Sequence, residues 1–287
     1  MRDFSHSHEW LSLNTATVKK QWKLDGIIDA CAKRNIRAIN PWRDQVAEVG
    51  LDKIARQLRA TGIGLSGYCR GGFFPAPDAA GLKAALEDNV RAIDEAKALN
   101  APCLVLVAGS LPGALSGAPV HKDLARARNE VRDGIAASLE YAKCVGMPLA
   151  IEPLHPMQAA ERACINTLEH ALNLCDELDP DRSGALGVAV DMYHVWWDPK
   201  LRQQIERAGP KRLLAFHVCD WLVPTGDLLN DRGMMGDGVI DLRQARGWVE
   251  SAGFSGHAEV EIFSHRWWAE PGDVVLDTCI ERYKIAV

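Results

Sequence analysis

Residues 186–195, LGVAVDMYHV, set the reading of the whole chain. A brief aliphatic run, Leu186–Val190, is bounded upstream by Gly184 and ends in a carboxylate, Asp191. A run this short, rich in valine and closed by polar residues, reads as a buried strand. The same form recurs in both directions. The strand candidates are Leu11–Val18, Ile36–Asn40, Gly64–Tyr68, Cys103–Val107, Leu149–Glu152, Leu186–Asp191, Leu213–Val218 and Ala258–Ile262. Between them lie segments with one apolar stripe: Leu24, Ile27, Ile28 and Cys31, then Leu51, Ile54, Ala55 and Leu58, and later Leu168, Ala171, Leu172 and Cys175. Such a stripe is what a helix needs to pack on the outside of a sheet. Longer helical segments follow at Leu82–Leu99 and Leu124–Lys143, with a last one near Val274–Ile285. Eight strands alternating with helices, about 35 residues per unit, predict right-handed parallel βαβ units closed into a (β/α)8 TIM barrel. An open doubly wound sheet is disfavoured, because no GxGxxG follows the first strand, LSLNTATV. No Ser/Gly-rich or charge-rich linker divides the chain. Residues 11–287 therefore read as one barrel domain behind an N-terminal extension, residues 1–10.

The composition agrees with this reading. The chain has 287 residues, 47% of them hydrophobic, and 33 Lys and Arg against 38 Asp and Glu leave a formal net charge of −5. That is ample for one large core. The absence of a basic block argues against nucleic acid held by phosphate contacts. Eight Cys without a CxxC pair support neither a disulfide framework nor a zinc ribbon, and read as small core residues of a reducing compartment. The N-terminus, MRDFSHSHEW, lacks the pattern of a signal peptide, and no apolar run approaches the roughly 18 residues of a membrane span. A soluble, cytoplasmic protein is expected.

In a barrel the C-terminal ends of the strands converge on one mouth. The fifth strand ends in Glu152 (AIEPLHP), the sixth in Asp191, and the seventh brings His217 (FHVCD). The eighth carries Glu259 and Glu261 (AEVEIFS), which share a face because Val260 separates them; Glu261 is nearer the mouth. One such Glu is ordinarily a rim salt bridge or a helix cap. Four ligand-type residues on four successive strands are different, since buried carboxylates together are costly without a compensating cation. Three carboxylates and an imidazole suit one divalent ion, Mn²⁺ first, with Mg²⁺, Co²⁺ or Zn²⁺ as alternatives.

IEPLHP, DMYH, HVCDW, GDGVIDL and EVEIF resemble the xylose isomerase-like barrel superfamily. The nearest group within it is that of the sugar-phosphate isomerases and epimerases, which includes ketose 3-epimerases and inosose-processing enzymes. The resemblance covers residues 11–285. It implies that Glu152, Asp191, His217 and Glu261 hold the metal, the four residues already reached from strand ends. It also implies that His194, three residues after Asp191, holds substrate hydroxyls. His155, on the loop after Glu152, reads as a further polar contact or a proton-transfer group, because imidazole titrates near neutrality. The long Gly-rich segment Asp220–Leu242 has the character of a functional loop, and Arg232 and Asp237 are its candidates for reaching substrate. Asp241 reads as a helix cap. Trp196, Trp197, Trp221, Trp267 and Trp268 follow the ligand-bearing strands, and Trp221 is taken as part of an apolar wall against a sugar face or aglycone.

The expected activity is a divalent-metal-dependent isomerase or epimerase. It would abstract a proton from a keto-sugar or related polyol through a metal-stabilised enediolate, with Glu152 and Glu261 as base and acid. Two alternatives stand beside it. HVCDW and DRGMMGDGVIDL also resemble large subunits of C-glycoside deglycosidases, lyases that cleave 3-oxo-glycosides and pair with a small β-rich subunit. A non-catalytic sugar-binding barrel is the other. Val223 stands where epimerases of the group carry an arginine six residues after the metal-binding histidine. Leu154 stands where xylose isomerase proper carries a lysine, and INPWRD and GYCRGG lack the additional histidines of an endonuclease-type metal cluster. A small-molecule sugar is the expected partner, with a homo-oligomer as the expected assembly and neither nucleic acid nor membrane.

Overall fold

The computed structural model describes residues 2–287. Nine strand segments, paired in parallel throughout, form a nearly closed barrel. They make eight staves, because the third is written in two pieces, Gly64–Leu65 and Tyr68–Gly72. The first piece pairs with the second strand, Ala38–Asn40, and the other with the fourth, Leu104–Val107. The remaining staves are Leu11–Asn14, Leu149–Ile151, Leu186–Asp191, Leu213–Val218 and Ala258–Val260. Leu11–Asn14 lies between Ala38–Asn40 and Ala258–Val260, so the chain's first strand is zipped to its last.

Each stave is followed by an outer helix: Leu24–Lys33, Leu51–Thr61, Ala79–Ala98, Leu124–Val145, Leu168–Leu178, Leu201–Arg212, Leu242–Ser251 and Gly272–Ala286. Asp78, Asp123, Thr167 and Asp241 accept a backbone N–H in the first turn of theirs, satisfying groups the helix leaves open. Among the described residues no helix is long and apolar enough to cross a membrane.

Two strand readings change by several residues. The first strand stops at Asn14 rather than Val18, because the Asn14 side chain accepts from the Ala16 N–H and opens a 3-10 turn, Thr15–Val18. The third stave continues past Tyr68 to Gly72, and Arg70 is the extra residue where its register against the fourth strand shifts. The sixth outer helix is interrupted at Gly209, whose φ of 60° sets up Pro210. The N-terminal segment lies on the barrel: Phe4 is buried and stacks on Tyr283, ring centroids 4.8 Å apart, and Arg2 pairs with Glu250 at 2.9 Å.

The loop after the seventh strand is a built structure. Asp220–Trp221 pairs antiparallel with Arg232–Gly233. The Asp220 carboxylate accepts from the N–H groups of Gly236 (2.9 Å) and Ile240 (3.0 Å). Gly238 passes so close to the Trp221 carbonyl that a Cβ there would lie 2.2 Å from its oxygen. This packing holds Arg232 at the barrel mouth.

Candidate metal centre

Register builds the centre. Asp191 lies opposite His217, and His217 opposite Glu259, so three side chains enter the barrel side by side. Glu152 and Glu261 each follow the last residue of their strands. One donor atom from each of Glu152, Asp191, His217 and Glu261 lies within 4.8 Å of the others, and all four residues are buried. His217 Nδ1 faces Glu152 Oε1 at 3.1 Å and Glu261 Oε2 at 3.4 Å. Despite this approach, Glu152 Oε1 and His217 Nδ1 are buried atoms with no hydrogen-bond partner. Polar atoms left so are rare in folded proteins, and two converging on one point fit a cation held between them.

Glu259 turns to the layer beneath. Its carboxylate accepts from Asn14 Nδ2 (2.8 Å), Asn40 Nδ2 (2.8 and 3.0 Å) and Ser66 Oγ (2.8 Å), and its Oε2 stands 3.6 Å from His217 Nε2. Asn14 Nδ2 also reaches Glu261 Oε1 at 2.9 Å, tying the two glutamates together. Arg232 Nη1 donates to Asp191 Oδ2 (2.9 Å) and Glu261 Oε2 (3.1 Å). Four carboxyl groups, two of them reached by this permanent guanidinium charge, leave an excess of negative charge that suits a divalent ion.

Titration follows the same geometry. Burial, with Glu261 and Asp191 nearby, pushes the Glu152 carboxyl up to about 7 against the opposing pull of His217. Burial disfavours the His217 cation, yet Glu259, Glu152 and Glu261 together raise its pKa well above the usual value. His194 is pushed down to about 3 by burial, which outweighs Asp191. Its ring nitrogens face two donors, the His155 N–H at 3.1 Å and Arg232 Nη2 at 3.1 Å; neutral imidazole accepts at one nitrogen only and the cation at neither, so both contacts oppose protonation.

Above the centre opens a cavity of about 260 Å³, lined by Glu152, Glu261, His194 and Arg232 from the sequence candidates. His155, Trp221 and Asp237 do not line it. The His155 ring stacks on Trp221 with centroids 4.8 Å apart, and its Nδ1 accepts from the Met157 N–H, capping the turn Pro156–Gln158. Trp221 packs among His155, Tyr193 and Trp196. Asp237 pairs with Arg282 at 3.0 Å. The aromatic walls are instead Trp42, Phe73, Tyr193 and Phe263. Residue reading missed Asn14, Asn40, Ser66, Arg70 and Arg162. The local signal for Arg70 is a lone cation near a strand end, in GYCRGG.

Fold and site define a (β/α)8 barrel whose mouth holds a buried cluster of carboxylates and imidazole. The family model described as "Xylose isomerase-like TIM barrel" matches residues 27–279, and the chain belongs to that family. It is 23% identical over 276 residues to an inosose isomerase of Halalkalibacterium halodurans, covering 93% of each chain. The crystal structure of protein SMc04130 from Sinorhizobium meliloti 1021 superposes with a TM-score of 0.92 at 56% identity, over 98% of this chain and 99% of that one. That of IolI with a bound zinc atom gives a TM-score of 0.83 at 20% identity, over 96% and 97% of the respective chains.

Proposed function

We propose that this protein is a divalent-metal-dependent isomerase or epimerase acting on a keto-sugar or related polyol. The observation that carries the reading is the pair of buried carboxyl groups, Glu152 and Glu261, flanking His217 Nδ1 at the floor of a sugar-sized cavity. The inosose isomerase relative supports the substrate class. Glu152, Asp191, His217 and Glu261 would hold the ion, Mn²⁺ first. When bound, it supplies the positive charge that acidifies a C–H beside a carbonyl.

The side chains carry the proton. Glu152, at the floor of the cavity, takes the proton from carbon or returns it. Glu261, tied by Asn14 and Arg232, holds the complementary role at the other side of His217. Neutral His194 binds a substrate hydroxyl. Trp42, Tyr193 and Phe263 wall the cavity, orient the sugar face and exclude water. Return of the proton to the same carbon from the opposite face gives an epimer, and return to its neighbour gives an isomer.

The test is removal of metal by chelator, followed by addition of Mn²⁺ or Co²⁺, with solvent-deuterium incorporation into free and 3-oxo sugars as the readout. Incorporation that is lost and then restored supports the reading. Full incorporation after verified metal removal refutes it.

A further inference from the structure

The cavity carries more positive charge than the carboxylate cluster uses. Arg70 enters it from the third stave, on the half of the barrel that supplies no candidate ligand, and Arg162 from the turn after the fifth strand. Both are half-buried. Among the described residues neither makes a side-chain hydrogen bond or an ion pair; Arg70 lies over the Phe73 ring, 4.1 Å from its centroid. Nearby Arg43 shows the usual solution for a partly buried guanidinium, with Asp88 and Glu95 each at 2.8 Å. Lys19, at the same rim, faces the rings of Phe263 (4.7 Å) and Trp268 (4.8 Å) rather than a carboxylate. Burial first, with Arg162 and Arg43 nearby, holds the Arg70 guanidinium below its usual pKa against the opposing pull of Cys69 and Asp44. Two fork-shaped donors facing one cavity suit bidentate recognition of a planar or tetrahedral anion.

We propose that the substrate is an anionic keto-polyol, bearing a carboxylate or a phosphate that Arg70 and Arg162 bind in the cavity above the metal centre. The inference rests on reading the cavity as a sugar site. It gives the substrate two anchors, which fixes the carbon presented between Glu152 and Glu261.

The probes are D-fructose, D-fructuronate and D-fructose 6-phosphate, compared on the full Mn²⁺-loaded chain. Equilibrium binding is measured by calorimetry and turnover by deuterium incorporation. At least one anionic probe is expected to bind about tenfold or more tightly than D-fructose, the size of one charge-assisted contact. Which anion is preferred separates carboxylate from phosphate. Arg70→Met and Arg162→Met should each shrink the anion-to-neutral ratio about tenfold, and Arg70→Lys should retain part of it. Arg56→Met, an exposed charge on an outer helix, should leave the ratio unchanged. Equal binding of all three probes, binding of none, or a preference that survives the Arg70→Met/Arg162→Met double variant overturns the proposal. Anion-selective binding without deuterium incorporation upholds it and counts against the isomerase reading instead.

Discussion

Glu259→Gln removes a charge that does not line the cavity, and its effect on metal affinity follows from the geometry around His217. Glu259 Oε2 stands 3.6 Å from His217 Nε2, while Nδ1 faces Glu152 and Glu261. A full charge pair at that distance is worth about 5 kcal/mol at an effective dielectric near 20. A metal-ligating imidazole carries only part of a charge, so about 1.4–2.8 kcal/mol is expected, a loss of about 10–100-fold in affinity. The hydrogen bonds around the new amide can largely be remade. Asn14 is fixed, because its Oδ1 accepts from the Ala16 N–H (3.1 Å) and Trp42 Nε1 (2.8 Å). Asn40 Oδ1 has no partner and is able to turn and accept from the glutamine. Stability of the metal-free protein should fall by more than these hydrogen bonds account for, because the raised His217 pKa keeps that ring cationic beside Glu259. Mn²⁺ titration of metal-free protein against a chromophoric chelator reads the affinity, and urea unfolding reads the stability. Affinity within about twofold of the parent would refute the argument that Glu259 supports His217.

Two further predictions concern the lower end of the barrel. Arg212 is fully buried and pairs with Asp179 Oδ2 at 3.0 Å while donating to the Leu186 carbonyl at 2.7 Å. Arg212→Met should cost about 3–5 kcal/mol in urea unfolding, since it strands a buried carboxylate, and a loss under about 1 kcal/mol would contradict that. Burial pushes the Asp179 carboxyl up, but the Ser183 hydroxyl, Arg212 and Lys143 outweigh it and hold the pKa below its usual value. A carboxyl depressed in the folded state stabilises above its unfolded pKa of about 3.9, and that contribution is lost as pH falls through the folded value. The stability gap between the parent and Asp179→Asn should thus be constant near neutrality and close below about pH 4. A gap independent of pH there would exclude the ion-pair account.

Much of the architecture was legible locally. Aliphatic runs ending in polar residues marked six staves to within two residues, and Asp241 was legible as the cap of its helix. The four donor residues were legible because each stands at the end of such a run, where the barrel mouth must lie. The sixth outer helix carried little signal of its own, being polar over much of its length and broken at Gly209. Arg232 was open as a candidate, but its place beside Asp191 depends on how Asp220 folds the loop. His155 had the right spacing and faces elsewhere, because the turn Pro156–Gln158 directs its ring onto Trp221.

By itself the amino-acid order determined the alternation of strands and helices, and which strands end in metal-type ligands, since both are periodic properties of short segments. Only the tertiary structure decided that Glu259 faces His217, that Asn14, Asn40 and Ser66 make its layer, and that Arg70 and Arg162 face one cavity without anionic partners. These groups are far apart in the chain; Asn14 and Glu259 are separated by 245 residues. They meet because the first strand pairs with the last, and a contact made by closure of a barrel leaves no mark on the local pattern of either strand.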